Sequence, residues 1–97
     1  MVLQLVHIVK SHKPLKKFDA VLTTSEHRHK TIPFGQAGAP DFLQTKDLER
    51  RERYLQRHRK REDWTNPLTP GFWSRWYLWE KPTRAEAEKN IREKFGL

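Results

Sequence analysis

GFWSRWYLW, residues 71–79, holds three of the four tryptophans of this 97-residue chain, with a phenylalanine, a tyrosine and an arginine between and beside them. Thr69 followed by Pro70 offers a capping hydroxyl and a first-turn proline just ahead of the run. That pair predicts a helix that starts there and stops near Lys81-Pro82. On a helix, Phe72, Trp76 and Trp79 share one side, and Trp73 with Tyr77 points elsewhere. A helix apolar over so much of its girth needs cover on more than one side. The favoured reading is a central core helix, clasped by a sheet and two other helices. A second reading leaves one or two indoles outside to anchor a partner protein, since aromatic and arginine side chains dominate interfaces. A third stacks nucleobases on Trp73 or Trp79. In each, Arg75 can lie over a neighbouring ring.

Working outward, Thr83 and Glu86 have capping-box spacing and open a last helix to about Phe95, with Ala87, Ile91 and Phe95 on one face. Upstream, TKDLERRERYLQRHRKRED (45–63) is an unbroken run of helix formers. Its acids Asp47 and Glu49 sit at the N-terminal end and Arg57, Arg59, Lys60 and Arg61 at the other, as the helix dipole favours. Only Leu48, Tyr54 and Leu55 line its apolar stripe, so this helix is expected to be mostly wet. Three strands precede it: MVLQLVHIV (1–9), KFDAVLTT (17–24) and HKTIPF (29–34). The second and third are expected to pair antiparallel through a short polar connection, with Pro33 placing the third at an edge. Gly35 and Gly38 mark a turn that other residues resist. The expected fold is α+β, a small antiparallel hairpin sheet packed on about three helices. Residues 1–16 form an N-terminal strand or extension and residues 17–97 a single compact domain. Whether the first strand joins this sheet or reaches another subunit stays open.

Composition narrows the chemistry. Hydrophobic residues make up 35% and charged residues 33%, so the core must be small and dependent on its aromatics. The absence of cysteine excludes disulfides, thiolate metal sites and cysteine nucleophiles. No stretch approaches the roughly 20 apolar residues of a membrane span, and the apolar opening is too short and too interrupted for a secretory signal. An intracellular location is expected, with nuclear, organellar and virion destinations all open. The formal charge is +8, from 20 Lys plus Arg against 12 Asp plus Glu, which attracts nucleic acid, an anionic membrane or an acidic protein without choosing among them.

The basic helix carries the candidate binding residues. Arg50, Arg53, Arg57 and then Lys60 or Arg61 recur every three or four positions and project from one side, where guanidinium forks suit phosphate or carboxylate oxygens. The plainer reading is a solvated face that keeps a small protein in solution. Five scattered histidines show no helical pair. His27 and His29 flank Arg28 but find no third ligand, so neither metal nor cofactor is expected. Asp41, His58 and Ser74 can be assembled on paper into catalytic pairs, as in any small protein, and no catalytic residue is assigned.

The pattern KFDAV (17–21), KTIPFG (30–35), Asp41-Phe42, Lys46-Asp47, Arg53-Tyr54, Arg57-His58, Trp64 and GFWSRW-LW-KP (71–82) resembles a family of small proteins encoded by large DNA viruses of algae and amoebae, with relatives in protists. The GFWSRW-LW-KP block is its most specific part. The resemblance implies no enzyme activity and a compact interlocking of hairpin, basic helix and aromatic helix. It also implies a His directly ahead of Lys46-Asp47, where this chain has Thr45. Asp41 and Asp47 are expected to bind Lys or Arg side chains and tie loop to helix. The expected function is a non-enzymatic basic structural or accessory protein lodged among the protein subunits of a larger assembly, virion or ribonucleoprotein-like. The alternative is an autonomous, sequence-nonspecific RNA- or DNA-binding protein.

Overall fold

Phe18, Ala20, Leu22 and Thr24 alternate with Lys17, Asp19, Val21 and Thr23, so an extended chain puts the first four on one face. In the structure, a computed structural model describing residues 3–97, this segment is the central strand β2 (Lys16–Thr24). It pairs antiparallel with β1 (Leu3–Lys10) on one side and β3 (His29–Gln36) on the other. The part of the first-strand expectation that falls on residues 1 and 2 lies outside the described residues. From Leu3 onward the first strand joins this same sheet, which closes the question left open by the sequence.

Two local devices set the register. In the β2–β3 turn the Thr24 hydroxyl oxygen accepts the N–H groups of Glu26 and Arg28, and His27 takes a left-handed φ of 62°. In β1 the pairing slips between Leu5, opposite Leu22, and His7, opposite Val21. The extra residue is a β-bulge, and it resets the alternation. Leu5 and Ile8, three apart, therefore both face the core, which a regular strand would forbid.

The helices begin where capping side chains allow. Asp41 caps the short α1 (Phe42–Thr45) by accepting from the Gln44 N–H, and Asp47 caps α2 (Leu48–His58) by accepting from Glu49 and Arg50. Thr69 caps α3 (Pro70–Trp73) and Thr83 caps α4 (Arg84–Phe95), the latter with Glu86 returning to the Thr83 hydroxyl. The basic helix is shorter than its composition predicts. Its regular part ends at His58 rather than Asp63, and one further turn follows in which the Arg61 and Glu62 N–H groups donate to the His58 carbonyl.

From α3 the chain continues into a π-helical segment, Ser74–Leu78. The wider turn changes where the aromatic side chains point. Trp73 and Tyr77 both meet Phe34 of β3, at ring separations of 6.2 and 5.8 Å. Phe72 and Trp76 both meet Phe95 of α4, at 4.8 and 5.2 Å. Trp79 departs from the expected grouping with Phe72 and Trp76. It falls past the end of the π segment, with φ −123° and ψ 7°, and lies flat on Tyr54 of α2 at 4.4 Å and 5° between planes. The run thus touches sheet, α2 and α4 in three directions.

Gly35 tests this packing. Its φ is +78°, and an added Cβ would sit 3.0 Å from Leu78 Cδ1 and 3.2 Å from Lys17 Cβ, whereas at Gly38, φ +85°, it would meet nothing. Both Gly→Ala changes carry the left-handed penalty, of order 1–3 kcal/mol. Urea titration is expected to show a clearly larger loss for Gly35→Ala than for Gly38→Ala, since only the former also pushes on the π segment.

Candidate anionic-partner interface

The charged side chains sort into two populations. One is turned inward. Arg75, 9% exposed, has its guanidinium carbon 4.2 Å from the Trp76 ring centre and 5.2 Å from that of Trp64. It donates to Glu80 Oε1 at 2.7 Å, and Arg51 of α2 donates to the same oxygen at 2.7 Å. Burial pushes the Glu80 carboxyl up, but the hydrogen bond and charge of Arg75, then those of Arg51, outweigh it and hold the group below its ordinary value. One carboxylate thereby ties the aromatic run to the basic helix. Among the described residues the Arg75 Nε is buried without a partner, so this node leans heavily on Glu80.

Asp41 and Asp19 are inward too. Asp41 binds a lysine ammonium, that of Lys17, besides capping α1, but the lysine belongs to β2, so the loop is tied to the sheet where a tie to the helices was expected. Asp47 does its work as the α2 cap, with Arg50 at 3.8 Å. Asp19 accepts from the Ser11 hydroxyl at 2.6 Å and from the His12 ring and N–H, which closes the β1–β2 turn. Burial pushes Asp19 up, and the Ser11 and His12 hydrogen bonds reverse this and leave it low. The Asp19 clamp and the Glu80 node were missed in the sequence, and Lys17 was not singled out as the partner of Asp41. Only the Ser-His pair at 11–12, ahead of a strand aspartate, offered any signal.

The second population faces out. Arg50, Arg53 and Arg57 are exposed and line one groove of about 340 Å³ with Pro40 and Trp79. Their acidic neighbours stand far off and wet, Asp47 at 3.8 Å from Arg50 and Glu49 at 3.9 Å from Arg53. Pairs of that kind contribute about 0–1 kcal/mol and leave the guanidinium groups available. Lys60 and Arg61 are exposed in the turn that follows His58 and do not line this groove. The aromatic candidates divide similarly: Phe72, Trp73, Tyr77 and Trp79 are core, and Trp76 is half-buried at its edge. Trp73 is wholly buried, its indole N–H on the Pro67 carbonyl at 2.7 Å, and Trp79 lies flat on Tyr54 at 4.4 Å, so neither of the two stacking candidates offers a free face; Trp76 gives its indole N–H to the Trp64 carbonyl at 2.8 Å.

Asp41, His58 and Ser74 do reach one cleft of about 450 Å³, beside Tyr54, Arg57 and Glu62. Two of the three have prior commitments there. His58 stacks on Tyr54 at 4.3 Å and pairs with Glu62 at 3.0 Å, while Asp41 holds Lys17. Burial pushes the Tyr54 hydroxyl well above its ordinary range. Among the described residues no three His, Asp or Glu side chains come together as a metal site, and no helix is long and apolar enough to cross a membrane.

The depressed Glu80 and Asp19 carboxyls fix the sign of the acid response. Their stabilisation is in place above the ordinary carboxylate pKa, near ~4, and is lost as pH falls through their lower folded values. Glu80→Gln is expected to cost about 2 kcal/mol at pH 7 and progressively less as pH falls through the lowered folded value of the wild-type carboxyl. Urea midpoints measured across that range check this. A pH-independent cost would contradict it.

Comparison with curated proteins and with solved structures finds no match. Residues 6–58 match the profile of a family of unknown function (DUF5754), a segment running from within β1 to the last residue of α2. The GFWSRWYLW run lies beyond the matched segment. With more than half of its 97 residues inside that match, the chain belongs to the DUF5754 family.

Proposed function

We propose that the protein is a non-enzymatic basic accessory component that lodges in a larger assembly, virion or ribonucleoprotein-like, with Arg50, Arg53 and Arg57 set against an acidic surface of a neighbouring protein subunit. One observation carries this reading: three exposed, weakly paired guanidinium groups share a groove, while Asp19, Asp41 and Glu80 are spent inside the fold. Those acids are matched inside by Lys17, Arg51 and Arg75, so the net charge of +8 stays with the outer surface, where the α2 triplet carries part of it. Planar forks on successive helical turns match carboxylates presented by a folded partner. The prior commitments of Asp41 and His58 support leaving catalysis out.

The same arginine spacing favours one alternative, an autonomous binder of nucleic-acid backbone. The inward turn of Trp73 and Trp79 weighs against it, because such binders commonly add stacking platforms to their charge.

Fluorescence anisotropy with poly-glutamate and with a generic DNA duplex, between about 50 and 200 mM salt, separates the two. The accessory reading expects poly-glutamate to bind at least as well as the duplex, and the triple change Arg50→Glu, Arg53→Glu, Arg57→Glu to weaken it about tenfold or more. Much tighter duplex binding, with a salt slope that drops by about three in the triple variant, would instead establish the nucleic-acid reading.

A further inference from the structure

A second cleft, of about 770 Å³, opens between the β1–β2 turn, the loop after β3, α1 and the start of α4. None of the α2 arginines lines it. Its apolar surface comes from Pro14, Phe18, Ala37, Leu43 and Pro82, and its cations from Lys10, Lys16, Lys17, Lys46 and Arg84. The volume lies within the usual range for a ligand site, about 300–1,000 Å³, and so does the mix of apolar lining with a few polar groups.

Charge bookkeeping shows what the cleft lacks. Asp41 is its one acidic residue, and it is consumed by Lys17. Lys46 donates to the carbonyls of Leu43 and Pro82 at 2.7 and 3.0 Å, which straps two walls together without neutralising the ammonium. Arg84 lies over Phe18 at 4.8 Å and donates to the Tyr77 hydroxyl at 2.7 Å, again a neutral partner. Among the described residues Lys10 and Lys16 have no ion pair, and both are exposed. Four positive charges are thus uncompensated around an apolar bed.

The occupant must be anionic and also apolar. A lone phosphate fits poorly, because the α4 N-terminus is already answered by the Glu86 carboxylate in its capping box. The lysines and Arg84 come from four separate chain segments, which suits a ligand with several spaced charges. Leu15, between the lining residues Pro14 and Lys16, is 77% exposed and adds apolar surface in the same turn.

We propose that this cleft receives an acidic peptide segment of a protein partner, its carboxylates on Lys10, Lys16, Lys46 and Arg84 and an apolar anchor side chain against Phe18 and Leu43. This rests on the proposed function only in taking the partner to be a protein, and it adds a second contact surface independent of α2.

The probe is a fluorescently labelled, capped hexapeptide with two acidic residues on each side of a Leu-Phe pair, titrated by anisotropy into the full chain. Binding is expected to weaken about tenfold when Leu-Phe is replaced by Ser-Ser, and about tenfold in Lys10→Glu/Lys16→Glu, checked as folded by circular dichroism. The Arg50/Arg53/Arg57 triple variant is expected to bind the hexapeptide as well as wild type does. The proposal is overturned by equal affinity for the Ser-Ser peptide, by an unchanged affinity in the lysine variant, or by loss in the α2 variant alone. It is also overturned if a short oligonucleotide displaces the peptide at lower concentration than unlabelled peptide does. Poly-glutamate lacks the apolar anchor that the cleft requires, so the α2 triple variant in that assay reads the arginine face apart from the cleft.

Discussion

The structure depends on the contact between Phe34 and the pair Trp73 and Tyr77. Phe34 is the last large apolar side chain of the sheet, and it is wholly buried under two rings that a π-helical turn brings to it together. A chain of this size has a total stability of roughly 0.05–0.15 kcal/mol per residue, about 5–15 kcal/mol. Removing one buried indole costs about 3–5 kcal/mol, a large share of that reserve. The core residues outside the run, among them Leu5, Leu22, Phe42, Leu55 and Ile91, come from separate elements of the chain, and the run packs against the sheet, α2 and α4 at once. The protein is therefore organised around one short segment that must face three ways at once.

Electrostatics follows from that arrangement. Because the aromatic run is central, its one arginine is trapped inside, and Glu80 must neutralise it. Glu80 also takes Arg51, so α2 is oriented by the same oxygen, with its Tyr54 ring against Trp79. Fixing α2 by Arg51 and Tyr54 leaves Arg50, Arg53 and Arg57 outside. The exposed arginine face and the buried arginine node are two consequences of one helix placement. The same division holds at the β1–β2 end, where Asp41 neutralises Lys17 and leaves Lys10 and Lys16 uncompensated.

Much of the fold was legible because its signals are local. The β2–β3 hairpin, the caps at Thr69 and Thr83, the Ala87-Ile91-Phe95 face and the special glycines each depend on residues a few positions apart. The bulge in β1 was hidden, since the three-residue spacing of Leu5 and Ile8 reads equally as imperfect alternation. The π turn was hidden because an aromatic-rich run satisfies a helical pattern at any phase, which misplaced Trp79. Helix-forming composition also runs on past His58, which hid the end of α2, and Lys60 and Arg61 lie in the turn beyond it, outside the groove that the arginine triplet lines. The ion pairs Lys17–Asp41 and Arg51–Glu80 join residues 24 and 29 apart, and composition offers many equal alternatives for each partner. Of the candidate site, the arginine triplet was readable from spacing. The basic cleft was not, because the tertiary fold assembles it from four segments.

Hydrogen exchange of the indole N–H groups, followed by NMR, tests the central claim most directly. Trp73 donates inside the core to Pro67, and Trp76 donates to Trp64 at its edge. If the aromatic run is the interior that organises the chain, the Trp73 indole proton exchanges only on global unfolding, at a rate matching the slowest backbone amides of β2. Trp73 exchange as fast as that of a free tryptophan, with β2 still protected, would contradict it.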